Sequence, residues 1–311
     1  MKTCTWSILM ICILFHCKSF FSPLSNYERE GKILVDGQTR TYLMHTPKEG
    51  YKMPLPLVVA LHGRLGTGSI LRKQSRLDEL ADEKKFIAVF PDGLQRSWAD
   101  GRGNSPSDRN QVNDVLFIET LVKELVAEGI VDPKSVFLMG HSNGGFMAQR
   151  LALERPKLFR AVVSVSSQLS AFLVERKKQI AFHAISIGIM AGTEDPIVPY
   201  NGGYVNDGGE ILGVEDSIDR WLEWNQCDKK AIARSESIQD EGIQYSIDEF
   251  LYTQCTAETK VKLFRLQSFG HAFPGEKPFF PVRILGNYSQ KINGTRLIWE
   301  YFSSFLPKPP V

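Results

Sequence analysis

Beyond residue 25 the sequence keeps only two of its five cysteines, Cys227 and Cys255. It has no cluster of Cys or His at metal-ligand spacing, so no metal site is expected. It also lacks a G-x-x-x-x-G-K-[ST] loop and a G-x-G-x-x-G run opening a helix. Those are the usual phosphate cradles of nucleotide cofactors, and no cofactor is expected. An excess of charge is missing too. The formal net charge is +2, and removing residues 1–25 takes away Lys2 and Lys18 and no acid, leaving 35 basic and 35 acidic residues. A nucleic-acid or anionic-membrane partner needs a basic face, so neither is expected. There is no internal repeat, low-complexity tract or linker.

The N-terminal apolar run, Trp6 to Phe15, is about ten residues long, short of the roughly 20 that cross a bilayer. With Lys2 before it and the small residues Ser19, Ser22 and Ser25 after it, residues 1–25 read as a secretory signal peptide. The mature chain is then one domain, 26–311, in an extracellular or periplasmic, oxidising compartment. The even pair Cys227 and Cys255 is expected to form a disulfide there.

The mature chain alternates core-type strands with helical stripes. "GKILVDGQTRTYLMHTP" reads as a hairpin around Asp36-Gly37. "LPLVVALHG", "FIAVFPDG", "SVFLMG", "RAVVSVS" and "AISIGIMAG" are continuous apolar runs, as strands buried on both faces require. Helices are expected over about 70–84, along the stripe Val112, Val115, Ile118, Val122 and Leu125, and over 144–154, with another on Val214, Ile218, Trp221 and Leu222. "VKLFRLQSFGH" gives a late strand and 292–305 a last helix. Residues 94–110, with Trp98 in the middle, read as a long loop. The pattern is α/β, with a mostly parallel sheet covered by helices on both faces.

One stretch carries chemistry. Gly140-His141-Ser142-Asn143-Gly144 matches G-x-S-x-G between an apolar strand and an amphipathic helix. A serine on such a turn needs small neighbours two residues away, because the chain bends sharply there. It also needs a base and an orienting carboxylate, in the order Ser, acid, His. Of the two later histidines, His271 lies in the Gly- and Pro-rich "FGHAFPG" just after a strand, whereas His183 precedes a strand and reads as a packing or surface residue. For the acid, Asp195 is preferred because Pro196 pins a turn behind it, with Glu194 as the alternative. The backbone N–H groups of Asn143 and of Arg64, in "LHGRLG", are the expected oxyanion hole. His141 lies too close along the chain to act as base and reads as packing.

Taken together, the ordered pieces "LHG" (61–63), "PDG" (91–93), "SWADGRG" (97–103), "NDVLFI" (113–118), "GHSNGG" (140–145), "GTEDPIVPY" (192–200), "WLEWNQC" (221–227), "YTQC" (252–255) and "GHAFPG" (270–275) span nearly the whole mature chain. The chain resembles the secreted polyhydroxybutyrate depolymerase and feruloyl esterase group of α/β-hydrolases. The resemblance implies the α/β-hydrolase fold, the triad Ser142, Asp195 and His271, and a disulfide between Cys227 and Cys255. It implies a serine ester hydrolase acting on hydroxyalkanoate-type polyesters or oligomers, or on feruloyl or acetyl polysaccharide esters. The chain departs from the group at Phe273, where a tryptophan is usual, and at Asn113, where an acid is frequent. Trp98 and Phe273 are the expected aromatic walls of the substrate pocket. The sequence ends after its last helix, which favours soluble oligomers or plant-wall-type esters. A serine peptidase of the same fold and a catalytically silent binding protein are the other readings.

Overall fold

A computed structural model describes residues 22–25, 27–205, 208–278 and 280–307. Residues 1–21 of the expected leader lie outside them. Eleven strands form one sheet: β1 (Ser22–Ser25), β2 (Glu28–Val35), β3 (Gln38–His45), β4 (Leu55–Leu61), β5 (Ile87–Pro91), β6 (Val131–His141), β7 (Ala161–Val165) and β8 (Ser186–Gly192), then, after a separate two-residue ribbon of β9 (Gly203–Tyr204) and β10 (Glu210–Ile211), β11 (Ile232–Asp240), β12 (Ile243–Tyr252) and β13 (Val261–Gln267). The order is β1-β2-β3-β5-β4-β6-β7-β8-β13-β12-β11. The six strands from β5 to β13 in that order run parallel, and the three at one edge and two at the other are antiparallel.

The parallel strands are buried on both faces, which explains their unbroken apolar runs. Leu57, Val59 and Leu61 of β4 face one core, while Val58 and Ala60 face the other. The helices are α1 (Gly68–Ser75), α2 (Leu77–Lys84), α3 (Pro106–Arg109), α4 (Asp114–Ala127), α5 (Asn143–Glu154), α6 (Ala171–Lys177), α7 (Val214–Trp224), α8 (Val282–Leu285) and α9 (Gly294–Ser303). Ile118 and Leu121 of α4, Met147 and Leu151 of α5 and Ile218 and Trp221 of α7 close the first core. Leu71, Leu80, Trp299 and Phe302 from α1, α2 and α9 close the second. Among the described residues no helix is long and apolar enough to cross a membrane.

Three local outcomes differ from the sequence reading. The single helix expected over about 70–84 is two, because Arg76 adopts φ 48° and its N–H closes on the Arg72 carbonyl. Residues 94–110 are not a free loop: Ser97, Trp98, Asp100 and Ser107 are fully buried and α3 lies within it. The β11–β12 hairpin went unread. β11, IARSESIQD, is an exposed edge strand with no apolar run, although the turn Glu241-Gly242 has the two positive φ values, 45° and 82°, of a tight hairpin. The disulfide Cys227–Cys255 is present and ties the end of α7 to the foot of this hairpin.

Candidate active site

β6 and α5 meet at Ser142, whose φ of 54° and ψ of −121° are rarely populated by a residue with a side chain. The turn holds because its neighbours lack side chains. A methyl group on Gly140 would overlap the Gly144 carbonyl, and one on Gly144 would overlap the carbonyl oxygens of Leu61 and His62. The Ser142 N–H donates to the Val165 carbonyl at 2.8 Å, anchoring the turn to β7, and the residue is half-buried.

The neighbouring parallel strands bring two more side chains to the same end of the sheet. Asp195 follows β8, and its Oδ1 accepts the N–H groups of Ile197 and Val198, both at 2.8 Å, so Pro196 sits inside a closed turn. His271 follows β13, with its N–H donating to the Leu285 carbonyl at 2.6 Å. The His271 Nδ1–H donates to Asp195 Oδ2 at 2.7 Å, which leaves Nε2 with its lone pair facing Ser142 Oγ at 2.8 Å. Asp195 is 8% and His271 4% exposed, so water competes little for either bond. The Glu194 carboxylate instead accepts from the Asn287 amide at 3.3 Å near the surface. His183 is exposed. A hydroxyl, an imidazole and a carboxylate in this chain can pass a proton from oxygen to nitrogen while the carboxylate balances the charge.

The loop after β4 lies against the same serine. A methyl on Gly63 would be 3.3 Å from Ser142 Cβ, which places the following Arg64 beside the turn. His62 fixes the loop from beneath. Its Nε2 accepts the Gly93 N–H at 2.9 Å, so its Nδ1–H donates to the Gly63 carbonyl at 2.8 Å, and burial lowers its pKa and keeps it neutral. Gly68 N–H to Asp92 Oδ1 and Leu65 N–H to the Arg96 carbonyl, both at 2.8 Å, complete the bracing. Asn143 opens α5, where backbone N–H groups have no partner within the helix.

Sequence reasoning valued Asn143 for its backbone alone. Its side chain accepts the Trp98 N–H at 2.7 Å and donates to the Trp98 carbonyl at 3.0 Å and to Asp100 Oδ2 at 2.6 Å. Asp100 also pairs with Arg102 at 2.8 Å, and the Arg102 guanidinium stacks 3.8 Å from the Phe146 ring centre. The polar residues of "SWADGRG" therefore form a buried floor under the turn, a signal that was legible only as an unexplained motif. The two aromatics expected to line a substrate pocket, Trp98 and Phe273, are both buried beside the site. Trp98 is 0% exposed and its Nε1–H donates to the His62 carbonyl, while Phe273 is 3% exposed with its ring edge-on to His141. Among the described residues no group of His, Cys, Asp and Glu could hold a metal ion.

The Esterase family profile matches residues 36–240, a segment that contains Ser142 and Asp195. The chain belongs to this esterase family. Among curated relatives, the chain is 26% identical over 225 residues to feruloyl esterase B of Piromyces equi, covering 70% of this chain and 39% of that protein. It is 31% identical over 172 residues to feruloyl esterase C of Emericella nidulans, covering 53% and 58%. The chain spans about half the length of the curated relatives it matches. Among solved structures it is similar to an acetyl xylan esterase from Aspergillus awamori, with a TM-score of 0.59 at 16% identity over 90% of this chain and 99% of that one. An S-formylglutathione hydrolase from Agrobacterium tumefaciens gives 0.55 at 12% identity over 94% and 99%. At these identities the likeness concerns the fold, and the chain has the α/β-hydrolase fold.

Proposed function

We propose that this esterase is a secreted serine carboxylic-ester hydrolase. The observation that carries the reading is the unbroken run of hydrogen bonds from Ser142 Oγ through His271 to Asp195, at 2.8 and 2.7 Å. Ser142 Oγ attacks the ester carbonyl as His271 Nε2 takes its proton. Asp195 holds the imidazole in the right tautomer and stabilises the imidazolium. The backbone N–H groups of Arg64 and Asn143 bind the oxyanion, each lowering the barrier by roughly 3–4 kcal/mol. His271 then protonates the leaving alcohol, and water, deprotonated by the same imidazole, releases the acid from Ser142. No step calls for a cofactor.

The relatives support a substrate class. Feruloyl esterases among curated proteins and an acetyl xylan esterase among solved structures support feruloyl or acetyl esters of plant-wall polysaccharides. The leader-like N-terminus and the disulfide support export. Methyl ferulate, acetylated xylan and hydroxybutyrate oligomers, offered in parallel to the wild type and to Ser142→Ala, test the reading. Hydrolysis of ferulate or acetyl esters that falls about 10⁴-fold or more in Ser142→Ala agrees with it. Selective hydrolysis of the hydroxybutyrate oligomers would redirect the substrate. Unchanged turnover in Ser142→Ala would remove the mechanism.

A further inference from the structure

We propose that His141 is a positioning residue for the base: its ring holds the main-chain carbonyl of His271 and so sets where Nε2 stands over Ser142. The inference rests on the proposed mechanism, in which His271 is that base.

His141 is the last residue of β6, directly before Ser142. Its Nε2–H donates to the His271 carbonyl at 2.9 Å. Its ring lies 5.3 Å from the His271 ring, tilted by 41°, and meets Phe273 edge-on at 5.9 Å and 84°. On its other side, a methyl on Gly63 would come within 3.4 Å of Nδ1. One side chain, next to Ser142 along the chain, therefore binds the base loop and lies close to Gly63 of the oxyanion loop.

The base loop has particular need of such a tie. His271 stands in the irregular segment 268–278, which follows β13 and carries Gly270, Pro274 and Gly275. The His271 N–H is held by the Leu285 carbonyl and its C=O by His141, so the main chain is clamped on both sides of the base. The clamp springs from the end of β6, the strand that leads directly into Ser142, so nucleophile and base share one reference. A displacement of about 1 Å between them is enough to cost about 10²-fold in rate. The donor must also stay uncharged, because a cation here would oppose the imidazolium formed on His271. Burial and the neighbouring His271 push the His141 pKa down to about 4, against an opposing pull from Asp195 and from the bond to the His271 carbonyl.

Three variants separate positioning from packing. His141→Phe keeps the ring contacts and removes the donor. His141→Gln keeps an amide N–H at nearly the reach of Nε2, and His141→Asn sets it too short. We expect Phe and Asn to lower kcat about 10–100-fold with KM within about twofold, and Gln to recover kcat to within about threefold of the wild type. The low-field proton resonance of His271 Nδ1–H should broaden or shift in Phe and Asn but not in Gln. Wild-type kcat in Phe or Asn, or equal losses in Gln and Asn, would overturn the proposal. If Phe fails to fold, the comparison of Gln with Asn decides. The resonance needs no turnover, so it reports on His141 even if the ester-hydrolase reading fails in its own test with Ser142→Ala.

Discussion

Asn143 Nδ2 donates to Asp100 Oδ2 across 2.6 Å, joining the residue after Ser142 to the buried floor of the 97–108 loop. The same amide brackets both backbone groups of Trp98, so one side chain aligns the nucleophile turn with that loop. Asn143→Ala leaves the buried Trp98 groups and the Asp100 carboxylate short of partners. We expect it to reduce the unfolding free energy by about 1–3 kcal/mol and to lower kcat as well. Urea unfolding of Asn143→Ala, Asp100→Ala and the double variant checks this. The single effects should not add, because the residues share one network.

Gly144→Ala tests the steric basis of the turn. The new methyl would fall on the carbonyl oxygens of Leu61 and His62, which are main chain of the central strand β4 and the loop after it and cannot move aside cheaply. The expected outcome is loss of soluble protein, or a fold weaker by about 3 kcal/mol or more with no ester hydrolysis. Soluble yield, circular dichroism and turnover report it.

The buried histidines give stability a pH dependence of definite sign. His62 and His141 both have folded pKa values below the ordinary value of 6.5, His141 at about 4. Groups of this kind bind protons more readily in the unfolded chain. Their contribution is therefore fully present above about pH 6.5 and is lost as pH falls toward the folded value. Urea midpoints should hold between pH 8 and 7 and then fall between about pH 6.5 and 4.5, before most carboxylates titrate. His141→Gln should flatten that fall. Equal midpoints at pH 7.5 and 4.5 would contradict the assignment.

The disulfide joins residues 28 apart and closes a segment that holds the hairpin β11–β12 with its exposed edge strand β11. Cys227→Ser with Cys255→Ser should lower stability by roughly 3–4 kcal/mol on the chain-entropy account. Thermal melting measures the loss. Alkylation of the wild type without reductant should add no label at either position, and two after reduction.

Much of this was legible in the sequence because the same forces act locally and globally. Strands buried on both faces must be apolar throughout, so β4 to β8 could be read from their runs alone. The positions of Ser142, Asp195 and His271 follow from chain order and turn chemistry, and the structure brings all three within hydrogen-bond reach. What escaped depended on tertiary partners. The burial of Trp98 depends on the His62 carbonyl that its Nε1–H meets, a partner 36 residues away. The bond made by His141 is invisible in the sequence because its acceptor is a main-chain carbonyl 130 residues away, which no side-chain pattern announces. β11 had no apolar alternation to read because its residues face solvent at the sheet edge.

The central claim is that Ser142 is the activated nucleophile. Reaction with a fluorophosphonate, followed by peptide mass mapping, tests it most directly. The account predicts a single adduct on Ser142, absent in Ser142→Ala and formed far more slowly in His271→Ala. An unlabelled protein, or an adduct on another serine, would contradict it.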